Sequence, residues 1–178
     1  MVLAVPALPD RASGSRLTAA IYKTDVTDAV NFLANPPQFI GTQNASQAIA
    51  NGSWAAITLD VELTDSYDGH SLVTNTSRYT AQVTGWYEVC GVVSWSNSST
   101  VGSRGARLHV NGTPLLGSAV VLAAGTLPAA VATATRTVFL NAADYVEVAG
   151  GQNSGGSLST VNSGVDATSG LWVSWSHV

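Results

Sequence analysis

At 178 residues the chain has room for about one domain with a sizeable core. Charged residues make up only 10% of it, against roughly 25% in an ordinary globular protein, so Ser, Thr, Asn, Gln and Gly must cover much of the surface and little like-charge repulsion holds copies apart. With a net charge of −4 and Lys23 as the one lysine among seven basic residues, no basic cluster marks a nucleic-acid binder, and the single Cys90 excludes an intrachain disulfide framework and a multi-cysteine zinc site.

The start, Met1-Val2-Leu3-Ala4-Val5-Pro6, is apolar but lacks a cationic flank and is broken by Pro6 and Pro9, so it does not read as a signal peptide. No stretch approaches the length of a membrane span. A soluble protein made in a cytoplasm is the expectation, and the five Asn-x-Ser/Thr sequons at Asn44, Asn51, Asn75, Asn97 and Asn111 then follow from a Ser/Thr/Asn-rich composition. Residues 1 to 16, interrupted by proline and glycine, read as an extended arm that contacts something other than the subunit's own β core. The helical signal lies between 17 and 35. Thr24 is placed to cap a helix running to about Leu33, with Asp25 and Asp28 in its first turn and Val26, Ala29, Val30 and Leu33 on one face. Pro36-Pro37 stops it. Such a helix cannot bury its stripe alone and must pack on the domain, a sister subunit or a partner.

From Phe39 onward the pattern becomes strands and turns. Eight runs qualify: 38–43, 53–63, 78–83, 86–95, 106–110, 130–140, 145–149 and 171–177. Tyr87, Val89, Gly91, Val93 and Trp95 share one face, as do Leu171, Val173 and Trp175. The mixed alternation of 130–140 fits a strand with both faces covered, one by core and one by neighbours. Asp68-Gly69, Thr84-Gly85, Asn111-Gly112 and Gly150-Gly151 mark turns, and Asn111-Gly112 is a strong signal for a two-residue hairpin. The spacing predicts an all-β jelly-roll β-sandwich over 38–178, preceded by a short N-terminal arm and one short helix over 1–37.

Little in the chain has the form of a catalytic site. His70, His109 and His177 fall in different elements. Asp65-Ser66-Tyr67-Asp68-Gly69-His70 could hold a divalent cation, but it lacks regular oxygen spacing and a closing glutamate, and a polar turn is the better reading. No Gly-x-Ser-x-Gly elbow occurs. Gly150–Gly156 contains no lysine and precedes no helix, so it reads as a flexible loop rather than a phosphate cradle. Asp60 and Glu62 share a strand face, a spacing too common to mark a glycosidase. No metal or cofactor is therefore expected. Cys90 reads as a small buried hydrophobe, Trp95 and Trp175 as core, and Trp54, Trp86 and Trp172 as candidate interface residues.

Tyr79-Thr80-Ala81-Gln82-Val83-Thr84-Gly85-Trp86-Tyr87-Glu88-Val89 resembles the first diagnostic motif of the tumour-necrosis-factor and complement-globular-head jelly rolls. Arg107–Gly112, Val138–Val148 and Ser169–Val173 follow in the order such domains show, with Ala143 where the family carries a glycine. The front segment, with Leu17-Thr18-Ala19-Ala20, Asp28–Leu33, Asn35-Pro36-Pro37, Gln47-Ala48-Ile49 and Ser53-Trp54, is similar to small virion proteins of actinobacterial tailed phages, both capsid decoration and minor tail proteins. The first resemblance implies a homotrimer, packed as a threefold bell with one sheet toward the axis. The second implies a non-enzymatic decoration protein on the virion surface, assembled in the host cytoplasm and held to the major capsid protein by its N-terminal segment. Leu3, Val5, Leu8, Leu17, Ile21, Val26, Val30 and Leu33 are the candidate assembly and anchor residues. A minor tail or receptor-binding protein that recognises a host-surface glycan is the alternative, and a small cell-wall hydrolase, lacking an assembled catalytic set, ranks below both.

Overall fold

The computed structural model describes residues 5–6, 9–96, 101–124, 129–133, 135–162 and 167–178, with backbone alone for Ala129, Ala130 and Ala132. Leu3 and Leu8 therefore lie outside the described residues. Helical structure begins earlier than the sequence suggests. It comprises α1 (Ala19–Tyr22), a π turn over Lys23–Thr27 and α2 (Asp28–Ala34). The cap is Thr18, whose hydroxyl accepts from the Ile21 N–H at 3.2 Å. Thr24 sits inside the helix and donates to the Ala20 carbonyl at 3.1 Å, a back-bond that accompanies the widened turn. Asn35 leaves helical geometry immediately before the two prolines.

The strands are β1 (Gln38–Thr42), β2 (Ala48–Ile49), β3 (Trp54–Ala56), β4 (Val61–Asp65), β5 (Tyr79–Thr80), β6 (Gly85–Trp95), β7 (Ser103–Val110), β8 (Thr113–Pro114), β9 (Val120–Ala123), β10 (Ala129–Ala132), β11 (Arg136–Leu140), β12 (Tyr145–Gln152), β13 (Leu158–Ser159) and β14 (Gly170–His177). They form a jelly-roll sandwich. In the front sheet the order is β10-β6-β14-β1-β4, with β11 continuing along β6 beside β10. In the back sheet it is β3-β12-β7-β8, with β5 also on β12 and β9 also on β7.

Two predicted strands are each split in two. Residues 53–63 give β3 and β4, and between them Ile57 and Leu59 remain fully buried while their N–H groups reach the Val148 and Thr76 carbonyls. The 130–140 run breaks at Thr133, whose N–H and hydroxyl both engage the backbone of Gly91, so pairing to β6 continues through a side chain. The 78–83 run is strand only at Tyr79–Thr80. Gly150 and Gly151 do not form a turn. They are the buried end of β12, because a Cβ on Gly150 would press on Trp95 and Val93 and one on Gly151 would enter the Trp54 ring. Asn111-Gly112 does form the predicted two-residue hairpin between β7 and β8, with φ of 51° and 76°.

The core sits between the sheets. Phe39 stacks on Tyr79 with centroids 5.2 Å apart, and Tyr79 meets Tyr87 at a tilt with centroids 6.3 Å apart. The Tyr87 hydroxyl donates to the Val83 carbonyl at 2.6 Å, and burial pushes its pKa up to about 12. Burial pushes Tyr79 up as well. Trp95 is 1% and Trp175 9% exposed, beside buried Leu171 and Val173. Val5 also packs against this core cluster, which includes Phe32 of the helix.

Candidate functional site

The outward side of the front sheet carries three large aromatic side chains that stay more than a third exposed. Its register sets the side chains in rows. Ile40, Trp172 and Cys90 are cross-strand neighbours. Gln38, Ser174, Glu88 and Thr137 make the next row. Trp86, Phe139 and His177 make the last. Trp86, Phe139 and Trp172 are 38%, 45% and 37% exposed. Trp86 meets Phe139 edge to face at 5.5 Å and stacks with His177 at 6.1 Å. Glu88 is the one carboxylate in these rows. A hollow of about 280 Å³ opens among Gln38, Ile40, Glu88, Cys90, Trp172 and Ser174. The face can bury aromatic and aliphatic area against another protein surface.

The sequence reading places Trp86 and Trp172 on such a surface and misses Ile40, Val92 and Phe139. Their signal is the run Val89-Cys90-Gly91-Val92-Val93 in β6, where outward positions are as apolar as inward ones, the mark of a strand covered on both faces. Cys90 belongs to this outward face and is half-buried rather than part of the core, with its Sγ 3.9 Å from the Thr133 carbonyl.

Trp54 is not a free platform. Its ring lies on Gly151 and Gly105 of the back sheet, and the Arg107 guanidinium covers it at 4.3 Å from the ring centroid. From there a polar network crosses the back sheet. Arg107 Nε donates to His109 Nε2 at 2.8 Å. His109 pairs across strands with Glu147. Glu147 accepts from the Ser77 hydroxyl at 2.6 Å and from Arg78 Nε at 3.3 Å, and Arg78 covers Tyr145 at 4.0 Å. Burial, aided by the Arg107 charge, holds the His109 pKa below its ordinary value despite Glu147.

The other polar candidates are committed to local structure. Asp65 accepts from the Tyr67 and His70 N–H groups at 3.3 and 2.7 Å, as an acid in a tight turn does. His70 places its ring nitrogens 2.7 and 3.1 Å from the Arg78 and Leu59 carbonyl oxygens. Asp60 accepts from the Asn44 and Ala45 N–H groups and precedes β4, so it makes no catalytic pair with Glu62. His177 Nδ1 lies 3.0 Å from the hydroxyl of the adjacent Ser176. No group of three His, Cys, Asp or Glu side chains is arranged for a metal among the described residues, and no helix there is long and apolar enough to cross a membrane.

Of the assembly candidates, Val5 packs on the core and Ile21 is half-buried. Leu17, Val26, Val30 and Leu33 are 68%, 39%, 56% and 69% exposed. The residue that seats the helix on the sandwich is Phe32, which lies off the predicted stripe. It meets Trp175 edge to face at 4.9 Å and Tyr67 at 6.2 Å.

No family model matches the chain, and no curated protein matches it significantly in sequence. Solved structures do match in fold. The globular domain of zebrafish complement 1qA protein superposes with a TM-score of 0.51 at 15% identity, over 77% of this chain and 94% of that one. Eiger TNF from S. frugiperda gives 0.53 at 15% identity, over 80% and 92%, and murine APRIL at pH 5.0 gives 0.56 at 10% identity, over 78% and 98%. At such identities the likeness is one of fold, and the chain is an all-β sandwich of the jelly-roll type seen in the tumour-necrosis-factor and complement globular domains.

Proposed function

We propose that this chain is a non-enzymatic assembly protein that forms a homotrimer through the outward face of its front sheet and decorates the capsid of a tailed-phage virion. The observation that carries the trimer is that face: three large aromatics between 37% and 45% exposed around a single carboxylate. Aromatic residues with few charges are what buried interface centres contain. A threefold arrangement is what the resemblance of the Tyr79–Val89 motif implies. The place on a virion surface, and attachment to the major capsid protein through the N-terminal segment, rest on the resemblance of residues 17–54 to phage virion proteins.

Light scattering on the full chain at micromolar concentration tests the trimer, and a stable monomer overturns it. Cryo-EM of intact particles tests the location. Density for the sandwich on the capsid supports the decoration role, and density at the tail tip replaces it with the minor tail or receptor-binding alternative. The glycan form of that alternative finds Trp54 already engaged, its ring resting on Gly151 and Gly105 with the Arg107 guanidinium 4.3 Å from its centroid.

A further inference from the structure

The helical stretch 19–34 buries one side chain, Phe32. On the opposite side Tyr22, Val26, Val30 and Leu33 form an apolar stripe, 52%, 39%, 56% and 69% exposed with the described part of the arm in place. A helix of this length is marginal in water without tertiary packing, and Ile21, Thr24, Val26, Thr27 and Val30 lower its intrinsic propensity further. The stripe therefore needs a partner that the described part of its own chain does not supply.

We infer that the partner is the same stripe on sister copies, so that three helices run in parallel as a bundle extending the trimer beyond the sandwich. This rests on the trimer proposed above. Three observations favour a second copy over a foreign surface. The first is placement. The Trp175 backbone N–H donates to the Pro37 carbonyl at 2.9 Å and Phe32 meets the Trp175 ring edge to face, so the helix joins the sandwich at the end of the front sheet where Trp86, Phe139 and His177 are exposed. An axis along that face brings three helices together with the same polarity. The second is charge. Lys23 pairs with Asp28 and Arg11 with Asp25, each at 2.7 Å, so the helix charges are balanced within the subunit and the stripe carries none. Identical stripes can then approach without like-charge repulsion. The third is spacing. The wider π turn brings Tyr22, Val26 and Val30, four residues apart, close to one line, which Leu33 continues. A straight apolar seam of this kind is what self-packing helices present.

The test uses the full-length chain. In a Cys90→Ser background, Val30→Cys, mildly oxidised, gives disulfide-linked dimers on a non-reducing gel, whereas the background alone and the off-stripe variant Asn31→Cys do not. Val26→Asp with Val30→Asp raises the concentration at which trimers dissociate by tenfold or more and lowers helical ellipticity at 222 nm, with the near-ultraviolet signal of the sandwich retained. A wild-type monomer in light scattering overturns the trimer and the bundle with it. A wild-type trimer with no Val30→Cys cross-link and unchanged dissociation in the double variant overturns the bundle alone and leaves the trimer standing. Cross-linking of Val30→Cys to another virion protein in assembled particles, and not to sister copies, likewise overturns the bundle.

Discussion

The two sheets of this sandwich share a core but treat their outward sides differently. On the back sheet the aromatic and charged side chains pair within the subunit, while Val121 beside Trp54 stays 55% exposed. Trp54 lies under Arg107, Arg107 holds His109, and Glu147 gathers Ser77 and Arg78. On the front sheet Trp86, Phe139 and Trp172 remain more than a third exposed. A face whose polar groups satisfy one another gains nothing from association, because docking would only desolvate them. A face of half-exposed aromatics gains about 25 cal/mol for each Å² it buries. The polar network of one side is complete in the monomer, and the aromatics of the other are left for assembly.

The largest expected effect removes what both sheets share. Trp175→Ala deletes a side chain that fills the end of the core, closes on Phe32 and donates to the Thr84 carbonyl at 3.5 Å. It should cost about 3–5 kcal/mol, seen as a strongly lowered melting temperature with loss of assembly as a consequence. Retained stability would mean that the front sheet does not depend on this corner. Next comes the front face alone. Trp172→Glu should weaken trimer association by about 2 kcal/mol or more, read by analytical ultracentrifugation, while the melting temperature of the dilute monomer changes little. The same measurements on the back face should give the opposite pattern. Glu147→Ala strands the Ser77 hydroxyl and Arg78 guanidinium and should cost about 1–3 kcal/mol of stability, without changing association.

A smaller effect comes from protons. Folding lowers the His109 pKa, chiefly by burial, so the unfolded chain binds more protons than the folded one. The stabilisation is complete above the unfolded histidine value of about 6.5 and is lost as pH falls through the lower folded value. Denaturant titrations from pH 8 to pH 5 should show this fall, and His109→Gln should flatten it. Smallest is Ala143→Gly. Ala143 has φ of 79° in the turn before β12, a left-handed conformation costly to any residue with a Cβ. Glycine there should raise stability by up to about 1 kcal/mol and leave association unchanged.

How much of this was legible varies by element. The core alternation of β6 and β14 and the Asn111-Gly112 hairpin could be read directly, because period-two burial and positive φ are local constraints. The short strands β2, β8, β9 and β13 could not, since two to four residues carry no period of their own and pair only where the sandwich puts an edge beside them. Gly150 and Gly151 misled for the same reason. Their smallness suggests a turn, yet it serves Trp95 on one side of the sheet and Trp54 on the other.

The assembly face divides in the same way. Trp86 and Trp172 could be named from alternation, but their meeting with Ile40, Cys90 and Phe139 depends on four strands brought into register from residues 38 to 177. The apolar stripe of the helix was written in its spacing. That the stripe stays open while Phe32 takes the place on the sandwich was decided by the position of Trp175, more than 140 residues away. By itself the sequence determined the all-β class, the inward residues of the long strands and the absence of a basic surface, because these follow from composition and local period. Only the tertiary structure decided which apolar groups were left without partners, because exposure belongs to neighbours in space and not to neighbours in the chain.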